Sequence, residues 1–525
     1  MSTLVRKETS IRQQVLWLIG IATGVRLLLA LLLELGIDEV YYWNFVLYPD
    51  WSHFDHPLMI GVVGQIFSLN HLLTDDFFLR FGPICLSAIS TWIIFLLGTK
   101  VKNERAGLYA AYLFTGSIYG SIIAGFSFIP DAPLILFWVW ALYLLVDFLP
   151  AHPIDSGSRK KMIGFGALAG LAMLSKYQGA FLWIGVFVYV LFYNRDWLKE
   201  ISFYLSGVIS AILLLPILIW NIQNNFISFN YHSGRVTPAW ELRPDYFLTE
   251  VLGQFAYNNP IVYVLIVLAL IAWRKHDFIA ASFARVLLCQ AVPLWIVFTS
   301  FSLFRSTLPH WSAPAFISLI VFASAYWAGH ENQPKTWRWM KAGPIFLGVL
   351  LIIALWLINY SPLQLGKKSE MRTFGEDDFT QDLYGWSQVE SSFRKISTRE
   401  ESEGRMPRGS GLVTYKMFPA AHLDFYVAEP NERKLFAIGP LVDIHMYAWL
   451  NGKRGHLQKG SDYYHIALSN LYNDPNKLFG SYFEKIEPMD TVAVTRAGKP
   501  MRYLFYYGLK NYQGNFENPL PAKGK

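Results

Sequence analysis

Charge is scarce in this sequence. Asp, Glu, Lys and Arg make up 16% of its 525 residues against 53% apolar side chains, and mean hydropathy is positive at +0.29. Such a composition excludes intrinsic disorder and argues against a string of soluble domains, which the length alone would allow. Cysteine is scarcer still. Cys85 and Cys289 are the only two, both inside apolar runs and far apart. A disulfide-stapled scaffold is excluded, and small core residues are what remain. The sequence also has no phosphate-binding P-loop, no GxGxxG, no CxxC pair, no HExxH and no internal repeat. Nucleotide-phosphate, dinucleotide and zinc-protease chemistry therefore have no motif to rest on.

The charge that exists is uneven. The last 165 residues hold 41 of the 83 charged side chains. The division this suggests is a transmembrane domain over 1–360 and a soluble domain over 361–525. Eleven apolar runs are long enough to read as spanning helices, near 14–35, 77–98, 106–125, 132–149, 162–176, 179–193, 201–220, 258–273, 284–302, 311–328 and 342–359. The first continues past any short signal core and has no small-residue cleavage site, so it reads as an uncleaved helix. The stretch 54–73 is broken by Pro57, Gly61 and Gly64 and reads as interfacial or re-entrant. In the tail, Leu412–Tyr415, Thr491–Thr495 and Tyr503–Tyr507 look like strands and Phe379–Ile396 like helix, which predicts an α/β domain.

Cations orient the bundle. With the N-terminus cytoplasmic, 17 Lys and Arg fall in or beside cytoplasmic segments, among them Arg6, Lys7, Arg12, Lys100, Lys102, Arg159 and Lys161. The loops on the opposite side hold only Lys176, Arg235, Arg243 and Arg305. This is the positive-inside pattern, and eleven spans then place the tail outside. It suits membrane orientation better than nucleic-acid binding.

The chemically capable residues gather at the outer ends of helices: Asp38-Glu39 with Tyr41-Tyr42-Trp43, then His53, Asp55 and His56, then Asp131, then Lys176-Tyr177, then Arg305 and His310-Trp311. Charge near a bilayer is costly and marks function first. Each residue also has a plainer reading. Asp38 and Glu39 can be helix-end carboxylates in water, Asp131 can cap a helix, Lys176 can snorkel, and the aromatics can form an interfacial belt. His53, Asp55 and His56 have no known metal-ligand spacing. As a set, carboxylates able to accept a proton stand beside cations able to hold an anion. That suits displacement of a phosphate leaving group without an obligatory divalent metal, although one is possible. The aromatics around Asp38 are expected to desolvate it partly and raise its basicity.

Asp38-Glu39, Asp55-His56-Pro57-Leu58, Pro130-Asp131 and Pro309-His310-Trp311-Ser312-Ala313-Pro314, in this order, resemble the membrane-embedded GT-C glycosyltransferases. The likeness runs over about residues 10–360. It lies toward the bacterial branch of the protein mannosyltransferases (glycosyltransferase family 39), near the lipid A aminoarabinose transferases. The resemblance implies an α-helical polytopic bundle with an extracytoplasmic α/β domain. It also implies inverting transfer of a sugar from a polyprenyl-phosphate donor to a lipid, glycan or protein acceptor. Asp38, Glu39 and Asp131 then look catalytic, and His56, Lys176, Tyr177, Arg305, His310 and Trp311 look substrate-binding. Aminoarabinose transferases carry Lys-Pro-Pro where this chain has His56-Pro57-Leu58, so no sugar is assigned. A lipid-linked sugar flippase is the alternative. It should place polar groups near the bilayer midplane in paired repeats, a pattern the sequence lacks.

Overall fold

The computed structural model describes residues 10–237, 241–330 and 333–520. Arg6, Lys7 and the Arg235 side chain, counted in the charge bias, lie outside the described residues. In chain order α1 (Ile11–Leu32) is followed by α2 (Ile37–Leu47), α3 (Met59–Phe67), α4 (Asp76–Val101), α5 (Glu104–Gly116), α6 (Asp131–Phe148), α7 (Ser156–Ser175), α8 (Phe181–Tyr193), α9 (Ile201–Leu213), α10 (Leu215–Gln223), α11 (Ile227–Val236), α12 (Pro244–Tyr257), α13 (Pro260–Trp273), α14 (Ala281–Phe301), α15 (Ala313–Ala328) and α16 (Pro334–Asn359). Every one of the eleven apolar runs falls on helix. By length and composition, α1, α4, α6, α14 and α16 can each cross a membrane, and α9–α10 and α12–α13 add two spans if each bent pair counts as one. Among the described residues that criterion reaches up to seven spans, not eleven. The α12–α13 pair bends by 99°, and α12 lies between the apolar runs at 201–220 and 258–273.

Two compact units emerge, and their boundary differs from a cut at residue 360. Residues 1–31 and 48–351 form the first, and residues 32–47 pack with 352–525 as the second. The first unit is a helical bundle centred on α6, 72% of whose apolar window is enclosed, against 22% for α1 and 17% for α16. Leu16, Trp17, Ile21 and Leu28 on α1 and Ile345, Val349 and Ile353 on α16 stay exposed, as lipid-facing side chains do. Small residues set the helix crossings. A Cβ on Gly98 of α4 would stand 2.8 Å from the Gly107 Cα of α5, and one on Gly107 would stand 2.3 Å from the Phe95 carbonyl oxygen. Close backbone approach supplies packing where lipid gives helices no hydrophobic drive to associate. Asn103 starts α5 by accepting from the Ala106 amide at 2.9 Å, and Asp155 starts α7 by accepting from Ser158 at 2.7 Å.

The charges inside the first unit have local reasons. Arg26 on α1 donates to the Ser121 carbonyl and hydroxyl at 2.9 and 3.0 Å. Arg80 on α4 lies 4.5 Å from the centre of the Phe126 ring. Glu34, read from sequence as part of the first span, stands beyond the end of α1.

In the second unit five strands form one mixed sheet in the order β2-β1-β3-β5-β4. They are β1 (Leu412–Thr414), β2 (Leu435–Ala437), β3 (Tyr463–Leu468), β4 (Phe483–Arg496) and β5 (Lys499–Tyr512). β1 pairs in parallel with β2 and β3, while β5 is antiparallel to β3 and β4. The two-residue turn between β4 and β5, Ala497-Gly498, has positive φ at both positions, which matches the twist a tight hairpin needs. Helix α17 (Trp386–Ser402) precedes β1, and helix α18 (Met417–Leu423) lies in the connection from β1 to β2. The predicted helix over 379–396 is interrupted at Gly385, φ 87°, between a short 3-10 turn and α17.

Candidate functional site

The first unit builds its polar centre on the outer end of α6. Chain direction changes before α6 through a π turn, Tyr119–Ile123, a form that recurs at functional sites. It carries Tyr119 beneath the first residue of α6, where its hydroxyl donates to Asp131 Oδ1 at 2.9 Å. The other carboxylate oxygen accepts from Lys176 Nζ at 2.7 Å. Lys176 leaves the end of α7 in an extended conformation. Gly179 then folds the chain so tightly on α7 that a Cβ there would lie 2.5 Å from the Ala172 carbonyl carbon. The Asp131 and Lys176 side chains are 2% and 5% exposed. Lys176 is thus not a snorkelling lysine, and Asp131 spends its oxygens on side chains.

Two histidines stand in the field of that pair. Burial holds the His310 imidazole down to about 4, with Lys176 lowering it further and Asp131 opposing. Burial likewise brings His56 to about 3, against the pull of Asp55 and with the push of Lys176. Both rings are therefore neutral at neutral pH. They can donate or accept a hydrogen bond but bring no positive charge. The loop of His56 is tied by the His232 ring, whose Nε2 lies 3.0 Å from the Asp55 carbonyl oxygen. Tyr177 packs edge-on against His232 at 4.9 Å, its hydroxyl 3.3 Å from that of Ser228. Among the described residues no three of His, Cys, Asp and Glu converge to hold a metal ion; His53, Asp55 and His56 do not.

Arg305 and Trp311 have other partners. Arg305 donates to the Thr237 carbonyl at 2.7 Å and ties two loops together. Trp311 packs against Phe298 at 5.8 Å. The residue that sequence reading missed here is Glu250. It is fully buried on α12 and accepts from Thr307 at 2.8 Å, Ser312 at 3.0 Å and Gln254 at 2.9 Å. Its two loop partners bracket Pro309-His310-Trp311, so Glu250 shapes the turn that presents His310. A lone carboxylate in a moderately apolar stretch was the only signal. Glu250→Ala strands buried donors at about 1–3 kcal/mol each, so a clear fall in thermal stability is expected, with Glu250→Gln much closer to the parent. Equal melting of both variants and parent would make the network incidental.

Asp38 and Glu39 belong to the second unit, on α2. Asp38 is exposed, whereas Glu39 is buried and closes its own helix by accepting from the Gly36 amide at 2.9 Å, the return arm of a capping box. The expected desolvation of Asp38 is not found, because the aromatics turn inward: Trp43 packs on Phe425 at 5.0 Å and Tyr41 on His445 at 6.2 Å. Asp382, half-buried, accepts from the Ile37 amide at 3.1 Å. Burial raises its carboxyl from 3.8 to about 7, with the Ile37 amide opposing and the charges of Asp38 and Glu39 adding to the rise. A folded pKa above the unfolded one means that folding takes up a proton between the two values. This group's stabilisation is whole below about pH 4 and is lost as pH rises through 7. The stability difference, parent minus Asp382→Asn, is therefore expected to fall from pH 4.5 to 7.5 when both full-length proteins are unfolded in detergent. A difference that stays flat over that window would remove the shift.

Residues 55–220, less than half of the chain, match the family model described as dolichyl-phosphate-mannose-protein mannosyltransferase. No curated protein matches the chain. Among solved structures, ArnT from Cupriavidus metallidurans in the apo state is similar with a TM-score of 0.60 at 14% identity, over 95% of this chain and 98% of that one. The same protein bound to undecaprenyl phosphate gives 0.60 at 15%, over 94% and 97%. The archaeal oligosaccharyltransferase AglB from Archaeoglobus fulgidus, in complex with an inhibitory peptide and a dolichol-phosphate, gives 0.45 at 14%, over 86% and 69%. The ArnT likeness spans nearly the full length of both chains and shows the fold: a GT-C-type helical membrane protein with a small C-terminal sheet domain, as the sequence motifs imply.

Proposed function

We propose that this protein is an inverting glycosyltransferase that moves a sugar from a polyprenyl-phosphate carrier to a lipid, glycan or protein acceptor at the extracytoplasmic face of a bacterial inner membrane. One observation carries the reading. The interval that matches the mannosyltransferase model contains His56, Asp131 and Lys176, three residues far apart in sequence that share one electrostatic centre around a buried ion pair. The ArnT structure bound to undecaprenyl phosphate supports the choice of carrier.

In this reaction the acceptor oxygen bonds to the anomeric carbon while the carbon–oxygen bond to the carrier phosphate breaks on the opposite face. The electron pair leaves with the phosphate, and the acceptor's proton goes to a carboxylate. Asp38 is assigned as that base, since its exposed carboxylate can reach an acceptor. Glu39 supports it by closing the helix, and Asp131 fixes Lys176. Lys176 provides charge for the phosphate, His310 and His56 provide neutral hydrogen bonds, and Arg305 is a second cation on the loop of His310. Tyr177 and Trp311 offer ring surface to the sugar or the lipid. The cation bias supports the assigned orientation.

The test is transfer by the purified protein in liposomes supplied with polyprenyl-phosphate sugars, following release of the carrier phosphate and the anomeric configuration of the product. Release with inversion is expected from at least one donor. No release from any donor, or retained configuration, overturns the proposal. Mass spectrometry of envelope lipids and glycans with and without the active protein names the acceptor.

A further inference from the structure

The chain just before Asp38 is held by side chains at each backbone step. The Leu35 amide donates to the Tyr426 hydroxyl at 2.6 Å, and the Leu35 carbonyl lies 3.1 Å from His422 Nε2. The Gly36 amide goes to Glu39, and the Ile37 amide goes to Asp382. The arrangement is reciprocal. Glu34 accepts from the Trp386 and Ser387 amides at 2.8 and 2.9 Å, the first residues of α17. Each segment thus lends a carboxylate to the open N-terminus of the other's helix, where unpaired amides and the helix dipole favour an anion.

The clamp has a rigid back. His422 stacks on Trp386 at 3.9 Å and 7°, and the Arg502 guanidinium sits 4.1 Å from the Trp386 ring centre. The far half of α2 is held as well. Asn44 lies 3.3 Å from the Tyr447 hydroxyl and 3.4 Å from Arg454, which is itself paired with Asp424 at 2.8 Å. An 11-residue helix fixed near both ends has little freedom to move its second residue.

We propose that Asp382 is a positioning residue for the transfer reaction: by capping α2 on the amide of Ile37, one residue ahead of Asp38, it sets where the Asp38 carboxylate stands. The C-terminal unit is then a working part of the catalytic apparatus, because it carries the base. This inference rests on the assignment of Asp38 as base. Misplacing a reacting group by about 1 Å can cost about 100-fold, and Asp382→Ala is expected to lose about that much in kcat with KM for the polyprenyl-phosphate sugar nearly unchanged. Asp382→Asn keeps an oxygen that can accept from Ile37, and it is expected to recover most of the loss.

Two measurements on the full-length protein separate this inference from its premise. Amide hydrogen exchange over residues 35–41 should quicken in Asp382→Ala and return toward the parent rate in Asp382→Asn, whatever Asp38 does chemically. Transfer kinetics of the same samples, beside Asp38→Asn, report the consequence. Parent kcat in Asp382→Ala overturns the proposal, as does unchanged exchange over 35–41. So does a loss that Asp382→Asn fails to relieve. An active Asp38→Asn instead removes the premise, and with quickened exchange in Asp382→Ala it shows a cap that serves structure alone.

Discussion

Asp38→Asn is expected to yield a folded, membrane-inserted protein that binds its donor and transfers almost no sugar. An acceptor hydroxyl is a poor nucleophile until a proton leaves it, and a placed carboxylate contributes typically about 10²–10⁴-fold. The amide keeps the size and much of the hydrogen bonding but cannot take the proton. Because Asp38 is exposed on the second residue of α2, the change should cost little stability, so lost activity is not confounded with unfolding. Single-turnover transfer in liposomes, with donor binding measured on the same sample, is the assay. Turnover at the parent rate would move the base elsewhere. Asp131 would be next to test, although its burial against Lys176 makes it the harder variant to interpret.

Lys176→Met carries the second large effect, and it acts on both stability and chemistry. Asp131 would remain enclosed with Tyr119 as its only strong partner, and stripping one member from a buried pair costs about 3–5 kcal/mol. A marked drop in melting temperature is expected. Removing both charges together, as Asp131→Asn with Lys176→Met, should restore much of the stability, since a neutral pair has no stranded ion to bury. Transfer should stay lost in the double variant if Lys176 supplies charge to the carrier phosphate. A double variant with recovered stability and near-parent transfer would reduce the pair to scaffolding. The comparison works because the two side chains touch and so their effects are not additive.

Much of the bundle was legible in the sequence because apolar runs of membrane length have few alternatives to helix. All eleven runs are helical, and the break at Pro57, Gly61 and Gly64 coincides with a short separate helix, Met59–Phe67. The polar cluster was legible as a set of types, but its pairing was not. Nothing local says that Asp131 meets Lys176, 45 residues on. Glu250 escaped because the stretch around it is only moderately apolar and its partners are neutral hydroxyls and an amide. The side of the molecule that Asp38 joins was also invisible. The segment 32–47 looks like an outer loop of the bundle, yet its hydrogen bonds run to residues more than 340 positions away. Strands β2 and β3 went unread for a simpler reason: one has three residues, and the other is buried throughout and shows no alternation.

Those distant bonds also impose an order on synthesis. The residues that clamp α2 lie 345 to 410 positions downstream of it. At a ribosomal pace of about 5–20 residues per second, α2 waits about 17–80 s before its partners exist. During that interval most of the membrane helices have been made, while α2 has nothing to dock on. A nascent chain therefore gathers its buried ion pair well before α2 is in register. With Asp38 as the proposed base, competence for transfer would wait on residues 382–454.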